Sequence, residues 1–424
     1  MDARSRRNAG LPRGILTRPD AQRAIFGAAR PVETAARPAR RGFFAGPRGR
    51  YNTCMSQAAA NSAGAPAKAA HVALVAGSQT RDDLGAVLRH LVVGLLDVPM
   101  PVSLICPAGT NLQKLPVPPL RVIEYGPARM SFLRRRMVEA LTGQLESAGV
   151  GLLHALDGSA LPLTRQLAAE ADLAYVAGAC SLKHDVRAGD HRCRFLLAAS
   201  APIERMLVES HAAPAEMIRR LRPGVHQVRS ATCFINPNHA TAIIASGRLD
   251  RLGPFAAVLE AFDQLRQAQR ECVFFLIGSG RAEARLRRLA EKLQLMEDLT
   301  FVDRQEPAQL AGILRAADIF VSPAHTQRLD VELLTAMAAG VPVLTAEAPA
   351  ADFVIEDRTA LVFPAGDSAE MTVKLFSLLE DRAAARSLAE AALAHLREHH
   401  SPAKMAKQLV QLYHDAMRAP VGTD

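Results

Sequence analysis

The chain has 424 residues, 49% of them hydrophobic, which is enough for two domains of ordinary size with a sizeable core. Its formal net charge is +9, but residues 1–54 hold twelve arginines against Asp2, Asp20 and Glu33, so that segment carries the whole surplus and residues 55–424 balance. The basic character belongs to a tail and not to a globular surface, so it argues only weakly for nucleic-acid binding by the body, and no specific nucleic-acid partner is expected.

Residues 1–70 lack sustained periodicity, are rich in Ala, Arg, Gly and Pro, and read as a disordered tail. An organellar transit peptide, and an upstream extension with Met55 as the initiator, are the other readings of this segment. From His71 onward, short apolar runs alternate with helical patterns, the signature of βα units and parallel sheets. The first set of strands is predicted at 71–77, 102–108, 120–126, 151–156, 173–180 and 194–200. A second set follows at 240–249, 272–280, 299–305, 319–324, 341–347 and 360–366. The link FINPNHA contains the turn-forming Asn-Pro-Asn, which suits a hinge between two doubly wound Rossmann-like domains, 71–235 and 236–400. In the last segment, 401–424, Ser401 and Pro402 suit the start of a helix, and Met405, Leu409, Leu412, Tyr413 and Met417 recur on one face.

Six cysteines (54, 106, 180, 193, 233 and 272) show no CxxC and no Cys/His spacing suited to zinc, so buried thiols in a reducing compartment and no metal site are expected. No apolar stretch reaches the roughly 18–20 residues that cross a bilayer, because charges such as Asp97 interrupt the best candidates. A cytoplasmic protein is expected, with contact at a membrane surface left open.

Several segments, in order and in register over roughly residues 71–417, resemble the retaining family 4, or group 1, glycosyltransferases. They are GAVLRHLVVGLL (85–96), RRLRPGVH (219–226), SGRLDRLGPFAAVLEAF (246–262), FFLIGSGRAEARLRRLAEKL (274–293), LRAADIFVSP (314–323), LLTAMAAGVPVLT (333–345) and EDRTALVFPAGD (356–367). The resemblance implies the GT-B fold, two Rossmann-like domains facing a cleft, with the last helix crossing back onto the first domain. It also implies a nucleoside diphosphate-sugar as co-substrate, no cofactor or obligatory metal, and a glycan, lipid or small-molecule acceptor.

The residues that the family uses for this chemistry are largely replaced. A leaving diphosphate needs cations and helix N-terminal amides to absorb its charge. The family's Arg matches Arg248, but its Lys position holds Gly253. Where the family has Glu-Gly-Phe-Gly, this chain has Gln327, Arg328, Leu329 and Asp330, and the second Glu position holds Thr335. Asp330 falls where a carboxylate caps the next helix and repels a phosphate. Glu332, three residues before Thr335, lies on nearly the same helical face. The resemblance places Cys180 at the family's strand-end His, and makes Cys180 and Gln327 the candidate catalytic positions. Donor-binding candidates are Arg248, Gly278, Gly280, Arg328, Glu332 and Thr335; on the acceptor side they are Gly85, His154 and Asp157. Two readings follow: a working glycosyltransferase with an altered donor site, or a catalytically inactive homologue acting as a binding or partner protein.

Overall fold

The computed structural model describes residues 71–96, 98, 100–109, 120–127, 130–235 and 239–418. The tail at 1–70 and the Asn-Pro-Asn of the link at 236–238 lie outside the described residues. The first half runs β1 (His71–Val75), α1 (Thr80–Leu96), β2 (Val102–Pro107), β3 (Arg121–Tyr125), α2 (Ser131–Ser147), β4 (Val150–Ala155), α3 (Leu161–Glu170), β5 (Ala174–Ala179), β6 (Cys193–Ala198), α4 (Ala201–Glu209) and β7 (Ile218–Arg220). The second runs β8 (Thr241–Ser246), α5 (Leu252–Gln267), β9 (Cys272–Ile277), α6 (Glu283–Lys292), β10 (Leu299–Val302), α7 (Pro307–Leu314), β11 (Ile319–Ser322), α8 (Val331–Ala338), β12 (Val343–Ala346), β13 (Leu361–Phe363), α9 (Ser368–Glu380) and α10 (Arg382–His399), and α11 (Pro402–Arg418) follows.

Two sheets result, in the orders β3-β2-β1-β4-β5-β6-β7 and β10-β9-β8-β11-β12-β13, with the strand pairs parallel. Helices cover both faces, so central strands such as TAIIAS and CVFFLI are buried along their whole length and carry apolar runs instead of alternation. Sequence patterning predicts twelve of these strands; β7 escapes it, since three residues, IRR, carry no readable alternation. Each sheet reverses its winding once, between β1 and β4 and between β8 and β11. At such switch points the loops beyond the strand C-termini diverge and leave a crevice, where open α/β sheets bind ligands.

Helix α11 crosses back to the first domain and packs on α1, β4 and β5. Met405, Leu409, Leu412 and Tyr413 are buried there, and Met417 is partly buried. The approach is close enough that a Cβ on Gly94 of α1 would stand 2.8 Å from the Ala406 Cβ. One apolar cluster runs from β1 through α11 and into α8 of the second domain, so the two halves share a core. Among the described residues, no helix is long and apolar enough to cross a membrane.

Candidate functional site

The two switch points face each other, and this chain fills both with its own side chains. In the first domain Asp157, fully buried just past β4, accepts from the Thr80 hydroxyl at the start of α1 and from the Ser159 amide at 2.7 Å. The Thr80 hydroxyl in turn takes the Gly77 amide at 2.7 Å, so the loops after β1 and β4 are tied together. In the second domain Ser246 ends β8 and Ser322 ends β11, and each hydroxyl donates to a carboxylate in the first turn of α8. Ser246 Oγ reaches Glu332 Oε2 at 2.8 Å, and Ser322 Oγ reaches Asp330 Oδ2 at 3.1 Å.

Asp330 is the N-cap of α8: its Oδ1 accepts from the Glu332 and Leu333 amides at 2.9 and 3.2 Å. Those are the amides that a helix N-terminus would otherwise offer to a phosphate. Burial raises the Asp330 pKa, against the pull of its bonds from Leu333, Glu332 and Ser322. Burial first, then the neighbouring Asp330 carboxylate, push Glu332 up to about 7 from 4.5. The folded chain therefore holds a proton that the unfolded chain releases. That contribution to stability is full below the unfolded value and is lost as pH rises through the folded one. Glu332→Gln is neutral throughout and can still accept from Ser246. Its melting temperature should exceed the wild type's by roughly 2–4 °C at alkaline pH, about 1 kcal/mol, with the gap narrowing toward pH 5. A gap that stays constant in differential scanning fluorimetry across this range would contradict the raised pKa.

Charge closes the space between the domains. Asp82 of α1 accepts from Arg248 Nη1 at 3.0 Å and from Arg304 Nη2 at 2.5 Å, and Arg81 pairs with Glu306 at 3.0 Å. Arg248 also holds Asp250 at 2.8 Å. Two backbone bonds cross the same gap, from the Leu182 amide to the Gln327 carbonyl at 2.7 Å and from the Leu329 amide to the Cys180 carbonyl at 2.8 Å. They form an antiparallel bridge between Ser181 and Arg328. Gly85, in a left-handed kink of α1 at φ 44°, lies so close to α8 that its Cβ would stand 2.8 Å from Val331 Cγ2. One cavity in this gap has a volume of about 30 Å³ and is lined among others by Asp82, Gly85, Arg304, Leu310, Glu332 and Thr335. That is room for about two waters, whereas small-molecule sites run to roughly 300–1,000 Å³.

The other candidates have structural places. Cys180 is buried and contributes its carbonyl to the bridge; Gln327 is exposed and does the same. Arg328 is half-buried at the bridge, and Asp185 lies within its electrostatic reach. The Thr335 hydroxyl donates back to the Val331 carbonyl at 2.6 Å, and the residue is buried at the edge of the small cavity. The Gly278 amide is spent on the Val302 carbonyl at 2.9 Å. A Cβ on Gly278 would meet the Gly247 carbonyl at 2.1 Å, and one on Gly280 would meet the Leu249 backbone at 2.4 Å. The GSG turn is thus needed to pack two loops together. His154 is 2% exposed, its Nδ1 is 2.6 Å from the Tyr413 hydroxyl of α11, and burial holds its pKa down to about 3. With Asp157 knotted to Thr80 and His154 beneath α11, neither expected acceptor contact is open to an acceptor. Asp82, Arg304, Arg81 and Glu306 escape the sequence reading, for no local motif marks them. Among the described residues, no group of three or more His, Cys, Asp or Glu side chains could hold a metal.

Residues 236–395 match the family model for glycosyl transferases group 1. The chain is 30% identical over 204 residues to a GDP-mannose-dependent monoacylated alpha-(1-6)-phosphatidylinositol monomannoside mannosyltransferase of Corynebacterium glutamicum, a match covering 46% of this chain and 53% of that protein. It is 28% identical over 217 residues to a D-inositol 3-phosphate glycosyltransferase of Nocardia farcinica, covering 47% and 48%. The chain thus spans about half the length of the curated relatives it matches. Among solved structures, a glycosyltransferase from Rickettsia africae superposes with a TM-score of 0.67 at 13% identity, covering 83% of this chain and 100% of that one. A sucrose-phosphate synthase from Thermosynechococcus elongatus gives 0.66 at 20% identity, covering 83% and 100%. At these identities the structural likeness speaks for the fold.

Proposed function

We propose that this chain, whose residues 236–395 are a group 1 glycosyltransferase domain within a GT-B fold, is a homologue with a closed donor site that acts as a binding or partner protein and transfers no sugar. The observation that carries this reading is Asp330: its carboxylate takes the α8 amides and sets a negative charge where a leaving diphosphate would rest. Gly253 in place of a cation, the bonded Thr335 hydroxyl and the small cavity agree with it. Losing one preorganised electrostatic group costs on the order of a hundred- to a thousand-fold in rate, so several losses around one pocket leave little catalysis.

One observation favours the other reading. Arg248 and Arg304 converge on a single carboxylate, Asp82, and two guanidinia around one anion are also how a diphosphate is held. On that reading the cleft opens, the donor is a nucleoside diphosphate-sugar, and transfer to a glycan, lipid or small-molecule acceptor proceeds with retention.

Calorimetric titration of the full chain with UDP, GDP, ADP and their sugars separates the two. The expected result is no binding at millimolar ligand. Binding of any one of them, with transfer once an acceptor is added, would sink the closed-site reading. The variant carrying Gly253→Lys, Gln327→Glu, Arg328→Gly, Asp330→Gly and Thr335→Glu should gain binding, and Gly253 has no atom within 4 Å of an added Cβ to obstruct the lysine.

A further inference from the structure

The chain passes between its domains twice, outward after β7 and back between α10 and α11, and the two passages run side by side. The Val225 amide donates to the His400 carbonyl at 3.0 Å, and Gln227 Nε2 reaches the same carbonyl at 3.2 Å. The approach is tight enough that a Cβ on Gly224 would stand 2.6 Å from the Pro402 Cα. Five of the chain's thirteen histidines gather at this crossing: His90 of α1, His226, and His395, His399 and His400 where α10 ends. The His90 and His226 rings meet edge to face with centroids 4.5 Å apart, and His395 lies 4.7 Å from His399 and 6.1 Å from His400.

His400 is 1% exposed, and its Nδ1 donates to the Pro223 carbonyl at 2.8 Å. A carbonyl only accepts, so the neutral ring carries its proton on Nδ1 and leaves Nε2 bare, and Nε2 is buried with no hydrogen-bond partner. A second proton on this ring would set a charged N–H in a buried place where no acceptor is bonded to it. His90 Nδ1 is committed in the same way to the Gly224 carbonyl, at 3.3 Å. The charges around these rings give a second proton little support. Between β12 and β13, Asp352 faces His400 and His395, but one of its oxygens takes the Ala201 amide at 3.0 Å and lies 3.7 Å from Arg222, and the other is bonded to neither ring. Arg222 and Arg358 add positive charge on that side, and Arg89 of α1 adds it beside His90. From α10, Glu398 lies 3.6 Å from His399, and Arg397 holds the Val228 and Arg229 carbonyls. From α11, Lys404 brings a further cation onto the Glu398 carbonyl at 2.9 Å. Burial first, then His226, holds the His90 pKa down to about 4, and burial does the same for His400 against the pull of Pro223 and Asp352.

We infer that this crossing is an acid-sensitive latch: neutral histidines let the two passages close on each other at neutral pH, and protonation in mild acid drives them apart and loosens one domain against the other. A histidine whose folded pKa is depressed contributes stability that is full above its unfolded value and is lost as pH falls toward the folded one. Between pH 7.5 and 5.5, His90 and His400, free to titrate near 6.5 once the crossing opens, each favour the open state by about tenfold. Carboxylates of ordinary pKa stay ionised over that interval, so the ion pairs at Asp82 are not what changes. The five histidines are not among the residues that close the donor pocket, so the latch and the closed-site reading stand or fall separately.

The test is hydrogen exchange of the full chain at pH 7.5 and 5.5, each amide's rate divided by its intrinsic rate at that pH, for wild type, His400→Asn and His90→Asn/His400→Asn. Asparagine keeps an N–H in the place of Nδ1 and does not titrate. On acidification the protection of the Val225 amide should fall about tenfold or more in wild type, less in His400→Asn, and by less than about threefold in the double variant. Amides inside β4 and β9 should keep their protection. Wild-type protection at Val225 that does not change with pH would overturn the latch without need of either variant. So would an equal fall in the double variant, which assigns the effect to other groups, or a fall that β4 shares, which assigns it to global unfolding with His154 exposed.

Discussion

Replacing Tyr413 by alanine should lower the melting temperature by roughly 10 °C, the largest single effect expected outside the sheets. The ring is fully buried where α11 crosses onto β4 and β5, and truncating a large aromatic in a packed core costs about 3–5 kcal/mol. A second cost is built in. Tyr413 gives the buried His154 ring its partner at 2.6 Å, and with a pKa near 3 that imidazole is neutral at any physiological pH and takes no compensating charge. Tyr413→Phe isolates this part: the ring stays, the hydroxyl goes, and the expected loss is about 1–3 kcal/mol. Thermal melts of the two variants check both numbers. A Tyr413→Ala protein that melts within two or three degrees of wild type would mean that α11 does not fasten the first domain.

Asp82→Ala should loosen the gap between the domains without unfolding either one. The carboxylate is the shared acceptor of Arg248 and Arg304, and without it two cations face each other, only one of them still paired, with Asp250. Arg248 is 64% exposed and contributes little through its own ion pair, so most of the effect comes through Arg304, 33% exposed. A total of about 1.4 kcal/mol translates into roughly tenfold faster hydrogen exchange at the Leu182 and Leu329 amides, the two that bond across the gap. Amides inside β8 and β9 should exchange as before. Unchanged rates at Leu182 and Leu329 would show that the backbone bridge and the shared core hold the gap by themselves.

How much of this was legible in the sequence follows from the range of the interactions. Strands buried on both faces must be apolar runs, so β8 or β9 can be read directly, and Asp330 can be read as a cap because its partners are two and three residues away. The GSG turn was visible but open in meaning. The bond from the Gly278 amide to Val302, and the contact with Gly247, decide that it serves packing. Arg304 lies 222 residues from Asp82, and Tyr413 lies 259 from His154; neither distance leaves a periodicity or a spacing to find. Such pairs depend on how two finished domains dock, a geometry that no local pattern encodes.

The bridge between residues 180–182 and 327–329 is made of amides and carbonyls, which every residue except proline supplies in full. Exchange of the side chains at Cys180, Ser181, Gln327 or Arg328 for other non-proline residues leaves those bonding atoms in place. Substitution at these positions can therefore proceed while the two halves stay joined. A seam carried by the main chain keeps its geometry whichever non-proline side chains occupy it.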